Sequence, residues 1–190
     1  MSYDELGKKI KLLLLDVDGV LTNGEIIMGQ AGELCKGFNA MDGLGISLAM
    51  RHGIQVGIVT GRSSDIVRHR ARELGIEILY MGVKNKLNVL KGILAQGNCS
   101  VEEVAFMGDD LNDLPIIKNV GFAIAPANAA VEIRERSHYI CRRSGGNGAV
   151  REAIENILKS QGLWSQIINE YLKQAQGEED VAVSFDKINQ

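Results

Sequence analysis

The stretch LLLLDVDGVLTNG, Leu12–Gly24, decides the fold. Four leucines, with Ile10 just before them, make a short apolar run of the kind found in strands buried on both faces. The run ends abruptly in Asp16, Asp18 and Gly19. Asp and Gly favour turns, so a plain strand-to-turn ending is one reading. A calcium loop is a second, and it fails. Such a loop needs oxygen ligands at its first, third and fifth positions and glycine at the sixth. Counted from Asp16, the fifth residue is Val20 and the sixth is Leu21. The third reading puts both carboxylates at the carboxyl end of a parallel strand, where ligands bind in open α/β sheets.

The flanking sequence supports the third reading. Apolar runs at 55–59, 77–80, 104–107, 121–124 and 139–141 read as further strands. Stretches of helical spacing lie between and after them, at 42–52, 63–74, 86–96, 110–119, 128–135, 148–160 and 163–174. Asp42 is a candidate N-cap, and Gly53 and Gly75 are candidate stops. Alternating strands and helices predict a doubly wound parallel sheet with helices on both faces, an α/β fold of Rossmann type. The stretches 25–28 and 33–38 flank Gly29–Gly32 and predict a small β-hairpin. Residues 1–176 are expected to form one domain and residues 177–190 a loosely held tail.

Two other strand ends carry matching chemistry. QVGIV runs into Thr60, Gly61 and Arg62, and VAFM runs into Gly108, Asp109, Asp110, Leu111, Asn112 and Asp113. Lys84 and Lys86 precede a helix between them. A parallel sheet brings these ends to one edge. Crowded carboxylates need a cation, and an all-oxygen set suits Mg²⁺. A hydroxyl, glycine-flanked amides and an ammonium suit a phosphate. The edge therefore reads as a site for a phosphate and a magnesium ion.

In this order, DVDGV, TGR, Lys86 and GDDLND resemble the haloacid dehalogenase superfamily of phosphotransferases. The segments IIMGQAGELCKGFN, DGLGI, GDDLNDLP and GGNGAVRE extend the likeness over about residues 8–160, to a capless branch that hydrolyses phosphorylated keto-sugar acids. The resemblance implies that Asp16 is the nucleophile, forming an aspartyl-phosphate, and that Asp18 is the general acid and base. It implies Mg²⁺ held by Asp16, the backbone carbonyl of Asp18 and Asp109, and phosphoryl oxygens held by Thr60 and Lys86. Gly61, Arg62 and Arg70 are implied to face the substrate. Asp113 is expected to orient Lys86 or a water on the metal, and Asp110 to support the site or cap a helix. The implied substrate is 3-deoxy-D-manno-octulosonate 8-phosphate, in lipopolysaccharide sugar synthesis. A nine-carbon sugar acid 9-phosphate and a noncatalytic assembly module are the alternatives on the same scaffold. Met41 and Asn147 stand where that branch usually carries arginine.

With no room for an inserted cap, an open site needs another wall. Ile26, Ile27 and Met28 on the hairpin also need burial. A homotetramer is expected, in which each hairpin packs on its neighbours, with Arg142, Arg143 or the C-terminal segment reaching across. The remaining composition is unremarkable and excludes several classes. The 190 residues are 45% hydrophobic with a net charge of −3, which gives no case for nucleic acid as a partner. No apolar run approaches the roughly 20 residues of a membrane helix. The beginning MSYDELGKKIK lacks the apolar core of a signal peptide. Cys35, Cys99 and Cys141 are scattered and form no CxxC pair, which points to a reducing cytoplasm without disulfides or a zinc site.

Overall fold

The computed structural model describes residues 2–30 and 32–177. The chain opens with a short helix α1 (Tyr3–Gly7), whose N-cap Ser2 accepts from the Glu5 N–H. β1 (Leu12–Leu15) follows, then a hairpin of β2 (Ile27–Gly29) and β3 (Gly32–Cys35), then α2 (Ala40–Arg51). Next come β4 (Gln55–Val59), α3 (Asp65–Leu74), β5 (Ile78–Tyr80) and α4 (Lys86–Ala95). β6 (Val104–Met107), α5 (Leu114–Ile117), β7 (Phe122–Ala125), α6 (Val131–Arg134) and β8 (Tyr139–Ile140) complete the sheet region. α7 (Ala149–Ser160) and α8 (Trp164–Gly177) close it.

Six strands form one parallel sheet in the order β5-β4-β1-β6-β7-β8. The four leucines of β1 lie at its centre, and the alternation of a strand divides them between two cores. Leu13 and Leu15 pack with α2, α3 and α7 on one face. Leu12 and Leu14 pack with α4, α5 and α6 on the other. Both neighbours of β1 are in register with it, so Leu15 is level with Ile58 and Met107. From β1 the chain winds outward to β4 and β5 on one side and then to β6, β7 and β8 on the other, and the three strand ends meet at that switch point in a crevice. Between β1 and β4 lie only the hairpin and α2, so the doubly wound sheet carries a flap and no cap domain.

Several expected elements differ in detail. The helix expected to begin at Asp42 begins at Ala40, because the Asn39 side chain accepts from the Met41 N–H at 2.8 Å. Asp42 is fully buried and caps a different helix. Its carboxylate accepts from the N–H groups of Gly148 at 3.3 Å and Arg151 at 2.8 Å, at the start of α7. The helix expected at 110–119 is a 3₁₀ turn, Leu111–Asp113, followed by the single turn of α5. Pro115 lacks an N–H and fits only a first helical turn, so helical bonding restarts beside it. The hairpin strands are shorter than expected, with a register shift between Ile27 and Met28. The expected stop at Gly75 is a left-handed C-cap, φ 73°. Of the tail expected at 177–190, Gly177 ends α8 and the rest lies outside the described residues.

Candidate active site

Asp16 is the first residue beyond β1, and its N–H still donates to the Met107 carbonyl at 3.0 Å, so the sheet ladder fixes its backbone. Its Oδ1 accepts from the Val17 N–H at 2.7 Å and its Oδ2 lies 2.7 Å from Lys86 Nζ. Lys86 opens α4 behind the N-cap Asn85, and its side chain is 2% exposed. Nζ is also 2.5 Å from Asp113 Oδ1. The second oxygen of Asp113 accepts from the Asp109 N–H at 3.0 Å. Asp113 thus ties the lysine to the loop after β6. Asp110 accepts from the Leu111 N–H at 2.7 Å and is exposed, a cap for the 3₁₀ turn.

Carboxylate oxygens of Asp16, Asp109 and Asp113 lie within 4.8 Å of one another. Burial, then the Asp113 charge, pushes Asp16 up to about 6, with Lys86 only partly opposing. Burial, then the charges of Asp16, Asp113 and Asp110, pushes Asp109 up to about 7. Burial alone would lower Lys86, but Asp16 and Asp113 outweigh it and hold the ammonium above its ordinary value. One lysine does not balance three carboxylates. An all-oxygen donor set with this unmet negative charge fits a hard divalent cation such as Mg²⁺. Gly19 allows the cluster to form. It has φ 82°, and a Cβ there would lie 1.9 Å from Asp109 Oδ2.

Asp18 is not part of the carboxylate cluster. Its side chain turns toward the flap, where Oδ1 bonds Lys36 Nζ and Oδ2 lies 3.7 Å from Arg62 Nε. Asp16, Asp18, Thr60, Gly61, Arg62, Asp109 and Asp110 line one open cavity of about 260 Å³, with Gly24 and Ile26 on the flap side. Thr60 is buried and its hydroxyl accepts from the Arg62 N–H at 3.5 Å. Lys86 lies beneath this cavity and reaches it through Asp16. Arg70 is not among the lining residues. Its guanidinium pairs with Glu73 at 2.9 Å and stands 5.6 Å from the Phe38 ring at the base of the flap.

The sequence reading passed over three contributors. Lys36 and Glu33 of the flap form a 2.9 Å ion pair beside Asp18, and the Ser64 hydroxyl donates to Glu33. In a short hairpin, charged residues read as a solvated face, and only the fold shows these two turned inward. Gly145 is the third. A Cβ there would fall 1.7 Å from the Gly19 carbonyl oxygen, so the GGNG loop lies directly against the turn after Asp18.

Known proteins resemble this chain in sequence and in fold. A family model described as haloacid dehalogenase-like hydrolase matches residues 76–154. The 3-deoxy-D-manno-octulosonate 8-phosphate phosphatase KdsC of Escherichia coli strain K12 is 44% identical over 164 residues, covering 85% of this chain and 87% of that protein. A crystal structure of a probable YrbI-family phosphatase from Pseudomonas syringae is 45% identical, with a TM-score of 0.87 over 90% of this chain and 97% of that one. The 3-deoxy-D-manno-octulosonate 8-phosphate phosphatase of Moraxella catarrhalis, solved with a magnesium ion, a phosphate ion and KDO, is 40% identical. Its TM-score is 0.86 over 89% of this chain and 97% of that one.

Proposed function

This chain belongs to the haloacid dehalogenase-like hydrolases, and on that footing we propose that it is a phosphatase of a phosphorylated keto-sugar acid, 3-deoxy-D-manno-octulosonate 8-phosphate. The observation that carries the reading is the meeting of Asp16, Asp18, Thr60 and Asp109 at one cavity, with Lys86 bonded to Asp16 below it. Asp16 attacks phosphorus and forms an aspartyl-phosphate. Asp18 protonates the departing sugar oxygen, then takes a proton from the water that hydrolyses the phosphoenzyme. Lys86 and Thr60 hold phosphoryl oxygens, and Asp113 keeps Lys86 in place. Magnesium would be held by Asp16, the Asp18 carbonyl and Asp109, where it would neutralise charge on the transferring phosphoryl group. Arg62, half exposed at the cavity rim, suits the acidic substrate.

Met41 and Asn147 bear on substrate choice. Both lack the charge that would meet a carboxylate, but Arg143 Nη1 lies 3.7 Å from Met41 Sδ and close to Gly148, beside Asn147. A cation therefore remains in that neighbourhood for the carboxylate that eight- and nine-carbon keto-sugar acids share, and the likeness to the octulosonate phosphatases favours the eight-carbon reading. A nine-carbon 9-phosphate is the second reading, favoured by the altered identity of those positions. A noncatalytic assembly module has no use for a paired nucleophile and acid. Phosphate release from eight- and nine-carbon sugar acid phosphates, with Mg²⁺ and with EDTA, tests all three. The expected result is Mg²⁺-dependent release that is fastest from the eight-carbon substrate. Release from neither substrate would end the proposal.

The assembly we infer is a homotetramer. Ile27, Met28 and Leu34 of the hairpin are exposed, with Met28 at 60% and Leu34 at 65%. An apolar patch of this kind on a two-stranded flap calls for a cover. Light scattering on a sizing column is expected to give four copies, and a monomer with full specific activity would refute the assembly.

A further inference from the structure

Lys36 lies just beyond β3 and has no part in the mechanism above, yet its side chain is 1% exposed. Its ammonium sits between Asp18 Oδ1 and Glu33 Oε1. Glu33 is fastened in turn. The Ser64 hydroxyl donates to its Oε2, and the same hydroxyl accepts from the Val67 N–H at 3.3 Å as the cap of α3. Arg62 Nη2 stands 4.0 Å from Glu33 Oε1, and Arg62 Nε 3.7 Å from Asp18 Oδ2. Each oxygen of Asp18 therefore faces a cation. One comes from the flap and the other from the loop after β4, and Glu33 links the two.

Burying a lysine costs desolvation and side-chain entropy, which only good partners offset. A tether that merely fastened the flap would need no buried ammonium and no contact with Asp18. General acid–base groups depend on aim. They contribute about 10²–10⁴-fold, and a displacement of about 1 Å can cost roughly 10²-fold.

We propose that Lys36 is a positioning residue for Asp18, held in place by Glu33, so that closing the flap and aiming the acid–base carboxyl are one event. The proposal rests on Asp18 being the acid and base of the reaction. In the first step the P–O bond to the sugar breaks as the P–O bond to Asp16 forms, and the leaving oxygen takes the Asp18 proton. In the second step Asp18 takes a proton from water, which attacks phosphorus and frees Asp16. Lys36 gives up no proton in either step.

The test compares Lys36→Met with the native enzyme on two substrates. The sugar acid phosphate has an alkoxide leaving group that needs a proton. In p-nitrophenyl phosphate the phenolate leaves unaided. For the variant, kcat on the sugar phosphate is expected to fall about 10²-fold with KM little changed. On p-nitrophenyl phosphate the first turnover is expected at near the native rate, as a burst, followed by a slow steady state while the phosphoenzyme waits for its base. Glu33→Gln is expected to shift both readouts in the same direction but less, and it carries the comparison if Lys36→Met does not fold. A first turnover slowed equally on both substrates would mean a structural role and overturn the proposal. Native rates on both would also overturn it. If the native enzyme cleaves p-nitrophenyl phosphate but not the sugar phosphate, the substrate assignment fails, and the burst still decides the role of Lys36.

Discussion

The side chains of Lys86 and Lys36 are both buried, and two carboxylates grip each of them, but their surroundings have little in common. Lys86 opens a helix whose Leu90 and Ile93 lie in the core, and its Nζ is 5.7 Å from the Phe106 ring. Lys36 follows a hairpin whose two strands bury none of their residues. The first lysine, on the proposed mechanism, serves the nucleophile and the loop that supports it. The second, on the same proposed mechanism, serves a proton-transfer group beside the flap. Similar ion-pair chemistry is thus enclosed by core packing in one place, and in the other is held by ion pairs and the Ser64 hydroxyl with little apolar packing around it.

The largest expected effect lies in the rigid cluster. Asp16→Asn is expected to lower turnover by about 10⁶-fold, the scale of losing an enzymatic nucleophile. The fold should persist, because the amide removes one of three crowded carboxylates. Phosphate release and a thermal melt check both halves. Retained turnover would remove Asp16 from the chemistry and leave the cluster merely structural.

Next comes a direct contrast in stability. Lys86→Met strands Asp16 and Asp113 in the core without a cation, and breaking a buried pair in this way costs about 3–5 kcal/mol. Lys36→Met is expected to cost about 1 kcal/mol, because Asp18 and Glu33 can turn to water once the flap lifts. Denaturant unfolding of the two variants measures the gap. Equal losses would show that the flap network is as deeply anchored as the core, and the comparison above would fail.

The same contrast explains what could be read from the residues. Leu12–Leu15, the strand ends at Thr60 and Asp109, and Lys86 at a helix start were legible, because continuous apolar runs place their own ends at one edge of a parallel sheet. Lys36 and Glu33 were not. A charged residue in a short hairpin reads as solvated, and nothing local says that the hairpin folds back over Asp18. Asp42 was misplaced for a related reason. Its position suits a local N-cap, but its partners lie 106 and 109 residues away. The short α5 was overextended because the apolar spacing outweighed Pro115. Local patterns identify strands and motif positions, whereas contacts made across the fold by single polar side chains leave no periodic trace.

Mg²⁺ binding ties the rigid cluster to pH. Folded Asp16 titrates near 6 and Asp109 near 7, both above an unfolded carboxylate near 4. Between about pH 4 and 7 the folded, metal-free protein therefore binds more protons than the unfolded chain. Its stability falls as pH rises through that window and levels off above it. Mg²⁺ needs the deprotonated carboxylates, so its affinity is expected to drop about tenfold per pH unit between about 7 and 6, roughly 1.4 kcal/mol, and about hundredfold per unit below 6, where Asp16 also takes a proton. The rise in melting temperature on adding Mg²⁺ should be large near pH 8 and small near pH 5. A rise independent of pH would mean that the ion binds elsewhere, and the Asp16–Asp109 cluster would need another explanation.

The smallest expected effect concerns a buried carboxylate with neither a lysine nor a metal. Asp42 is 1% exposed, and backbone N–H groups of Gly148 and Arg151 satisfy it at the start of α7. Burial raises its pKa, which those two N–H groups only partly oppose. Gly148, the residue before that helix, has no side chain with which to cap it, so α2 supplies the cap from outside. Losing an N-cap costs about 0.5–2 kcal/mol. Asp42→Ala should fall near 1 kcal/mol, partly offset because a poorly solvated charge is also removed. Turnover should change little, since Asp42 lines neither the cavity nor the flap network. Asp42→Asn should recover part of the loss, because its amide oxygen can still accept. Urea unfolding with parallel phosphate release separates the two readouts. If Asp42→Ala instead lost turnover while keeping its stability, α7 would be transmitting the change through the GGNG loop that lies against Gly19, and the boundary drawn here between scaffold and site would have to include it.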